Sequence, residues 1–227
     1  LSRTEQARIG VIYIIAFFVI FFWAAYEQAG ASLTFFADEQ TDRHIGGWEM
    51  PVQYSSIVEE HHAVRRRVGL FDIGHMGRLN FEGPDVLPWI ESLTTNAVAR
   101  LTPGAIQYSL LLSSEAGILD DLLVYRMPSG AYHIVCNASN RDRVVEQFLS
   151  HPAPGEARLL DDTRATGMIA IQGPQAVDVV AAWLPDESAR RVIDLAYYHV
   201  ATASDRDGRP LEISRTGYTG EDGFEVI

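Results

Sequence analysis

Residues 215–225 constrain the fold of this chain more than any other segment. They read Arg-Thr-Gly-Tyr-Thr-Gly-Glu-Asp-Gly-Phe-Glu and include three glycines. Glycine tolerates positive φ and lets a ligand approach the backbone closely. The segment is therefore not a helix, and we expect a hairpin loop that leads into a strand at residues 224–227. Its side chains offer a ring and several acceptors to a ligand: Tyr218, Glu221, Asp222 and Glu225.

A second constraint is the run of 18 uncharged residues at positions 9–26. As a helix this run is about 27 Å long, close to the roughly 30 Å of a bilayer core. Trp23 and Tyr26 lie near one end, where interfacial aromatic residues are favoured. A secretory signal peptide is the alternative, but the charges of Arg3 and Glu5 are mixed and the cleavage context is incomplete. We therefore predict a single transmembrane-type helix.

Composition excludes several classes of protein. The net charge of −12 and the pI near 4.9 argue against nucleic-acid binding, which requires a basic face. The chain has no Lys, which removes Schiff-base chemistry and a Walker lysine. A single cysteine, Cys136, excludes an intrachain disulfide. The chain starts without Met and ends inside a predicted strand, so we interpret it as a fragment.

Alternating strands and helices follow from residue 54 onward. Ser56 and Glu59 have the spacing of a capping box at a helix start. The turn residues Asp207-Gly208 predict a hairpin between strands at 198–203 and 210–214. Further strands are predicted at 76–81, 105–112, 118–127, 131–136 and 167–172, and helices at 83–93, 140–149 and 174–184. Glycine and serine turns join the second, third and fourth of these strands into an antiparallel meander. The fold class is therefore α+β, with mixed or antiparallel sheets and packed helices.

Two adjacent acids interrupt the apolar strand predicted at 118–127. Because side chains alternate across a strand, Asp121 and Tyr125 share one face and form a polar couple that a ligand can use. Asp120 faces the other way, and we expect it to cap the preceding turn. Burying two acids is costly unless each is satisfied. The two side chains therefore have different environments. If Asp121 is a catalytic acid, we expect Asp121→Asn to impair catalysis and Asp120→Asn to affect stability more than rate.

Several ordered motifs in residues 47–227 resemble the glycine cleavage T-protein family, over about the first half of a family chain. They lie at residues 71–77, 107–108, 115–122, 137–140, 171–174 and 215–225. One motif departs from the family pattern, because Gly74 stands where the family usually has Ser and a hydroxyl is lost.

The resemblance implies a folate-binding domain of a cytoplasmic aminomethyltransferase that uses no metal. Members of this family take an aminomethyl group from the lipoyl arm of the H-protein. They pass the one-carbon unit to tetrahydrofolate, which gives 5,10-methylenetetrahydrofolate, ammonia and the reduced lipoyl arm. The resemblance puts the catalytic acid at Asp121 and the acid that reads the pterin edge at Glu225. It assigns other pocket positions to Met76, Tyr108, Tyr125, Asn137 and Tyr218. The family also supplies arginines from its C-terminal half, so we expect this chain alone to bind folate weakly or not at all.

Residues 9–43 resemble a different family, the proton-dependent oligopeptide transporters. The acid that matches Glu27 lies on the substrate and proton path there, but a single span cannot transport anything. Both families share the string Gly47-Trp48-Glu49-Met50-Pro51. We therefore interpret residues 1–46 as a transporter-like segment, with membrane contact through residues 9–26, joined artificially to a separate domain at 47–227.

Two alternatives to the aminomethyltransferase stay open. One is a folate-dependent demethylase, or the folate domain of a sarcosine- or dimethylglycine-processing enzyme, within the same superfamily. The other is a fragment of a proton-coupled peptide transporter whose second part is incidental.

Overall fold

The computed structural model describes residues 42–45, 47–151, 153 and 155–227. The chain divides into two compact units, one of residues 1–43 and 49–61 and the other of residues 44–48 and 62–227. The predicted transmembrane-type helix at residues 9–26 lies outside the described residues. Among the residues that are described, no helix combines the length and the apolar character needed to cross a membrane.

Helix α1 (Ile57–Arg66) begins after a capped turn, as the sequence predicts. Ser56 Oγ accepts a hydrogen bond from the backbone N of Glu59 at 3.4 Å. The acid that reaches back is Glu60 rather than the predicted Glu59, since Glu60 Oε1 accepts from the backbone N of Ser55 at 2.6 Å. Partial burial opposes ionisation of Glu60, but hydrogen bonds such as that from Ser55 outweigh it and lower the pKa of this carboxyl.

The other elements follow a regular alternation. The strands are β1 (Asp42–Ile45), β2 (Trp48–Pro51), β3 (Gly69–Asp72), β4 (Gly77–Glu82), β5 (Ile106–Leu112), β6 (Ile118–Arg126), β7 (Tyr132–Cys136), β8 (Arg158–Asp161), β9 (Ile169–Gln172), β10 (Val200–Ser204), β11 (Pro210–Ser214) and β12 (Gly223–Val226). The later helices are α2 (Val86–Leu93), α3 (Arg141–Ser150), α4 (Ala176–Trp183) and α5 (Asp186–Ile193), with a 3-10 turn at Val98–Arg100. β1 and β2 form a two-stranded sheet.

Two five-stranded antiparallel sheets make up the second unit. One has the strand order β5-β6-β7-β4-β8, and the other has the order β10-β11-β12-β9-β3. The predicted meander is confirmed as β5-β6-β7, and the predicted hairpin at Asp207-Gly208 is confirmed as β10-β11. The α+β class with antiparallel sheets is therefore confirmed for the described residues.

Three hydrophobic clusters order the layers of the second unit. Helices α2 and α3 cover one face of the first sheet, where Trp89 and Phe148 pack with Leu79. Helices α4 and α5 cover one face of the second sheet through Val180 and Val192. The two remaining faces pack on each other in a third, intersheet cluster: Ile106, Tyr125, Met127, Val135, Met168 and Val200. The unit is thus a four-layer helix–sheet–sheet–helix arrangement.

The sequence prediction missed helix α5 and extended α4 too far. α4 begins at Ala176 instead of Pro174 and ends at Trp183 instead of Leu184. α5 has only eight residues, with acids in its first turn and arginines in its last, which is the charge order that a helix dipole favours.

Candidate functional site

Strand β6 presents two acids to two different environments, as its parity predicts. Leu122 and Val124 pack in the cluster under α2 and α3, whereas Leu123 and Tyr125 contribute to the intersheet cluster. Because Asp121 shares the parity of Leu123 and Tyr125, it lies on the intersheet face. That face can therefore supply a carboxylate to a ligand held between the sheets.

Asp121 bonds to two other residues of the predicted site. Its Oδ2 accepts from the hydroxyl of Tyr108 on β5 at 3.2 Å, and its Oδ1 accepts from Asn137 Nδ2, just after β7, at 2.8 Å. Partial desolvation raises the pKa of the Tyr108 hydroxyl, and the neighbouring Asp121 carboxylate raises it further. Asp121 and Tyr125 share one face of β6, as predicted, and the hydrogen bonds of Asp121 run to Tyr108 and Asn137.

Asp120 does not cap the turn that precedes β6, which corrects the sequence prediction. That turn is held by Ser113, whose Oγ accepts from the backbone N of Gly117 at 3.1 Å. The Asp120 carboxylate, 2% exposed, instead accepts from the backbone N and Nδ2 of Asn137, both at 3.0 Å, and from Asn140 Nδ2 at 2.7 Å. A buried carboxylate needs such donors, and here the loop after β7 provides them.

Glu225, on β12, lies on the facing sheet. Its Oε2 accepts from the hydroxyl of Thr216 at 2.6 Å. No Arg or His of the described residues forms an ion pair with it. Burial without a cation raises the pKa of Glu225, although the bond from Thr216 works in the opposite direction. The site therefore holds an acid that is well placed to receive a donor or a cation.

Tyr125 fills the space between the sheets. It is 3% exposed, and its hydroxyl makes no well-formed hydrogen bond with a described residue, although the hydroxyls of Ser214 and Thr216 are its polar neighbours. Burial, together with the nearby charge of Glu225, raises the pKa of Tyr125. The ring of Tyr125 thus forms one wall of the site, and its hydroxyl lies toward Glu225.

The glycine-rich loop is built around a buried glutamine. Gln172 of β9 is 1% exposed, and its Nε2 donates to the backbone oxygen of Thr216 at 2.9 Å. Its Oε1 accepts from the hydroxyl of Thr219 at 3.0 Å. A Cβ at Gly217 or at Gly223 would overlap the Gln172 side chain. These two glycines therefore admit Gln172, and the expectation that they open the backbone to a ligand is wrong.

Two acids of this loop are paired with arginines. Glu221 Oε1 lies 2.8 Å from Arg65 Nη1, and Asp222 Oδ2 lies 2.5 Å from Arg215 Nη2. The Arg215 pair lowers the pKa of the Asp222 carboxyl. Tyr218, by contrast, is 94% exposed, so its ring is available to a ligand or to another part of the protein.

Met76 lies in a loop that one buried arginine organises. Its side chain is partly buried against the intersheet cluster. Arg78, 3% exposed, donates to the backbone oxygens of Met76 at 2.8 Å and of Gly74 at 3.2 Å. The same guanidinium donates to the backbone oxygens of Thr163 and Thr166. Arg78 thereby fixes the position of Met76 relative to the loop after β8.

Tyr198 was not predicted from the sequence, although its backbone is hydrogen-bonded to both sheets' parts of the site, at Ile106 and at Arg215. Tyr198 has a φ of 60°, a conformation that is a genuine outlier for a bulky residue and that concentrates at functional sites. Partial burial raises its pKa, as do the neighbouring Tyr197, Glu225 and Tyr218. Tyr198 also contributes to the electrostatic environment of Tyr108. No residue pattern signals a positive φ at a tyrosine, so only the structure reveals it.

The structure thus brings the predicted residues toward the intersheet face from six elements or loops. The predicted site residues are Asp121 and Tyr125 on β6, Tyr108 on β5, Asn137 after β7, Met76 before β4, Tyr218 between β11 and β12, and Glu225 on β12. In the part of the chain that the structure describes, no three His, Cys, Asp or Glu side chains are grouped as metal ligands. The arrangement offers carboxylates and aromatic rings to a flat, donor-rich ligand.

Several curated proteins are similar to this chain in sequence. An aminomethyltransferase of Cutibacterium acnes is 39% identical over 207 residues, which cover 89% of this chain and 53% of that protein. An aminomethyltransferase of Geobacillus thermodenitrificans is 43% identical over 187 residues, which cover 80% of this chain and 48% of that protein. The chain spans about half the length of the curated relatives it matches.

A solved structure and a family model also match this chain. The crystal structure of glycine cleavage system aminomethyltransferase T from Bartonella henselae superimposes with a TM-score of 0.70 at 29% identity, covering 90% of this chain and 52% of that chain. The model of the GCVT N-terminal domain matches residues 41–227, and so starts before the string at Gly47–Pro51 where we predicted the domain boundary. The chain belongs to the GCVT N-terminal domain family.

Proposed function

We propose that the complete protein transfers a one-carbon unit from the aminomethyl-lipoyl arm of an H-protein to tetrahydrofolate. The products are 5,10-methylenetetrahydrofolate, ammonia and the reduced lipoyl arm, and we assign the reaction to the cytoplasm. The proposal is supported by the family and by the named relatives. The single structural observation that carries it is the Asp121 carboxylate, held by Tyr108 and Asn137 on the intersheet face.

Asp121 is the acid–base group in this proposal. A carboxylate beside a weakly basic nitrogen can position or relay a proton while carbon moves from one nitrogen to another. The two hydrogen bonds fix the direction in which its lone pairs point. Its role requires no covalent intermediate on the protein. Cys136 agrees with this, because burial raises the pKa of its thiol to about 12 and disfavours a thiolate nucleophile.

Glu225 and the aromatic residues bind the substrate in this proposal. A carboxylate can accept two hydrogen bonds from the donor edge of a pterin, and Glu225 has no cation among the described residues to compete for it. Tyr125 and Met76 are walls that a flat ring can pack against. Tyr108, Asn137 and Tyr218 complete the proposed contacts at the Asp121 end.

Two other functions have less support. A folate-dependent demethylase of the same superfamily remains compatible with the same site, because its carboxylates and rings would serve either donor. The transporter fragment depends on the resemblance at residues 9–43, nearly all of which lie outside the described residues, so it stays a prediction.

The experiment that tests the proposal gives the complete protein two classes of donor in parallel, aminomethylated H-protein and a methylamine (sarcosine or dimethylglycine). The methylamine assays include a flavin-type electron acceptor, because conversion of an N-methyl group to the methylene level is a two-electron oxidation. We expect tetrahydrofolate-dependent product with aminomethylated H-protein, and no product with either methylamine. Product from either methylamine, with none from the H-protein, would replace the proposal by the demethylase. Unmodified H-protein is the matched control.

A further inference from the structure

One amide joins the two acids of β6, although they face opposite sides of the sheet. Asn137 Nδ2 lies 3.0 Å from Asp120 Oδ1 and 2.8 Å from Asp121 Oδ1. It also lies 3.0 Å from the backbone oxygen of Asp121. An amide nitrogen carries two hydrogens, so one can be directed at each carboxylate. Asn137 is therefore a bridge between a buried acid and the proposed catalytic acid.

Asp120 determines how this bridge is oriented. Its Oδ2 holds the backbone N of Asn137 at 3.0 Å, and its Oδ1 holds the side-chain nitrogen of the same residue at 3.0 Å. Asp121 alone could hold the amide nitrogen through its two oxygens, but only Asp120 also holds the backbone of Asn137. Asp120 thus fixes the position of Asn137 beside Asp121.

Stability alone does not explain an acid at position 120. Its neighbours of the same parity, Leu122 and Val124, are apolar and belong to the core under α2 and α3. A carboxylate that is 2% exposed costs free energy of desolvation, and replacing buried charged groups by apolar ones is often neutral or stabilising. The position of Asn137, which donates to Asp120 through its backbone and its side chain, gives a reason for an acid at position 120.

We infer that Asp120 is a positioning residue for the transfer reaction and acts through Asn137 on the carboxylate of Asp121. The inference rests on the proposed function, because it assumes that Asp121 takes part in the transfer. It also changes the expectation from strand parity, by which a substitution of Asp120 affects stability more than rate. The two faces of β6 are distinct, but their acids are coupled.

The test compares four variants of the complete protein: Asp120→Asn, Asn137→Ala, the double variant, and Asn80→Ala as control. Asn80 donates to Asp162 from β4 of the same sheet, so its loss breaks the same type of bond without contact to Asp120 or Asp121. Steady-state rates are expressed per folded protein, measured by circular dichroism. This normalisation separates a change in rate from a loss of folded material.

For Asp120→Asn we expect kcat to fall about 10-fold or more, because small displacements of a reacting group are costly. KM for tetrahydrofolate should stay within about 3-fold, since the Asp120 carboxylate is buried on the helix-covered side of the sheet and is not itself one of the proposed folate contacts. Asn137→Ala should lose at least as much kcat, and adding Asp120→Asn to it should cost less than about 3-fold more. Asn80→Ala should stay within about 3-fold of the unmodified protein.

Three results would overturn the inference. The first is a kcat of folded Asp120→Asn equal to that of the unmodified protein. The second is a double variant whose loss of kcat is the product of the two single losses, and the third is an equal loss of kcat in Asn137→Ala and Asn80→Ala. The last comparison remains decisive if Asp120→Asn does not fold. Asp121→Asn in the same assay distinguishes failure of this inference from failure of the proposed function. Full activity of Asp121→Asn would contradict the proposed function itself. If Asp121→Asn is inactive but the losses of Asp120→Asn and Asn137→Ala multiply in the double variant, only this inference is contradicted.

Discussion

The hydroxyl of Thr216 donates to the carboxylate of Glu225 at 2.6 Å, which ties the glycine-rich loop to β12. Burial raises the pKa of Glu225 all the same, because no cation among the described residues accompanies it. The native state therefore holds a proton on Glu225 at pH values where the unfolded chain has lost it. Stability then falls as pH rises from the unfolded pKa through the folded pKa, and the cost is absent at lower pH.

Glu225→Gln should consequently stabilise the protein at pH 8 and leave its stability unchanged near pH 4. The neutral amide keeps an oxygen for Thr216 and removes the charge that burial disfavours. Thermal melts of the two proteins across this pH range measure the difference. A Tm gain that is the same at both pH values, or a loss at pH 8, would contradict the assignment. Folate affinity of the complete protein should drop in the same variant.

Gly217→Ala should destabilise the chain by about 1–3 kcal/mol, the usual cost of overpacking. The added Cβ overlaps the side chain of Gln172, which occupies that space. The cost should shrink in a Gln172→Ala background, because contacting residues are not additive. Gly167→Ala is the control, since no atom lies within 4 Å of the place that its added Cβ would take. Chemical denaturation of the unmodified chain, the two single variants at 217 and 172 and the double variant measures the coupling. Strictly additive losses of stability would show that the loop is not built around Gln172.

Arg78→Met should destabilise the protein by about 3 kcal/mol or more. The substitution removes charged donors from the backbone oxygens of Met76 and Thr166, and unsatisfied buried acceptors are costly. The exposed Arg158 on β8 supplies the control Arg158→Met, for which we expect a change within about 0.5 kcal/mol. Denaturation midpoints of the two variants are compared with that of the unmodified protein. If both midpoints shift by a similar small amount, Arg78 is not needed to stabilise the loop that contains Met76.

The chain of 227 residues by itself should bind tetrahydrofolate weakly or not at all. Tyr218 is 94% exposed, whereas ligand sites usually bury most of the ligand surface. Glu225 also lacks a cation among the described residues. Isothermal titration of this chain and of the complete protein tests the point. Micromolar affinity in the shorter chain would show that its site is already complete.

Local patterns predicted eight of the twelve strands of the described residues and missed the four-residue strands β1, β2, β3 and β8. The meander β5-β6-β7 has alternating or apolar strands separated by short turns, and its predicted ends lie within one residue of those observed. These features depend on neighbours in sequence, so they are visible without a structure. Helix α5 was not predicted because it has only eight residues, fewer than the roughly 11–18 over which a helical period is recognised in a sequence.

Long-range relationships could not be predicted in the same way. The parity of β6 correctly separated Asp120 from Asp121, but the bridge through Asn137 joins residues 16 or 17 positions apart. Gln172 and Thr216 are 44 positions apart, so the reason for the glycines at 217 and 223 is visible only in the folded chain. The packing of the two sheets and the positive φ of Tyr198 likewise depend on tertiary contacts.

The most direct test of the account is Asp121→Asn in the complete protein. The substitution keeps the shape of the side chain but removes the carboxylate charge, and it replaces one of the two oxygens that accept from Tyr108 and Asn137 by a donor nitrogen. The measurement is steady-state formation of 5,10-methylenetetrahydrofolate from aminomethylated H-protein and tetrahydrofolate. We predict that kcat falls by at least about 100-fold, with much less change in folate affinity. An Asp121→Asn protein with full activity would contradict the central claim.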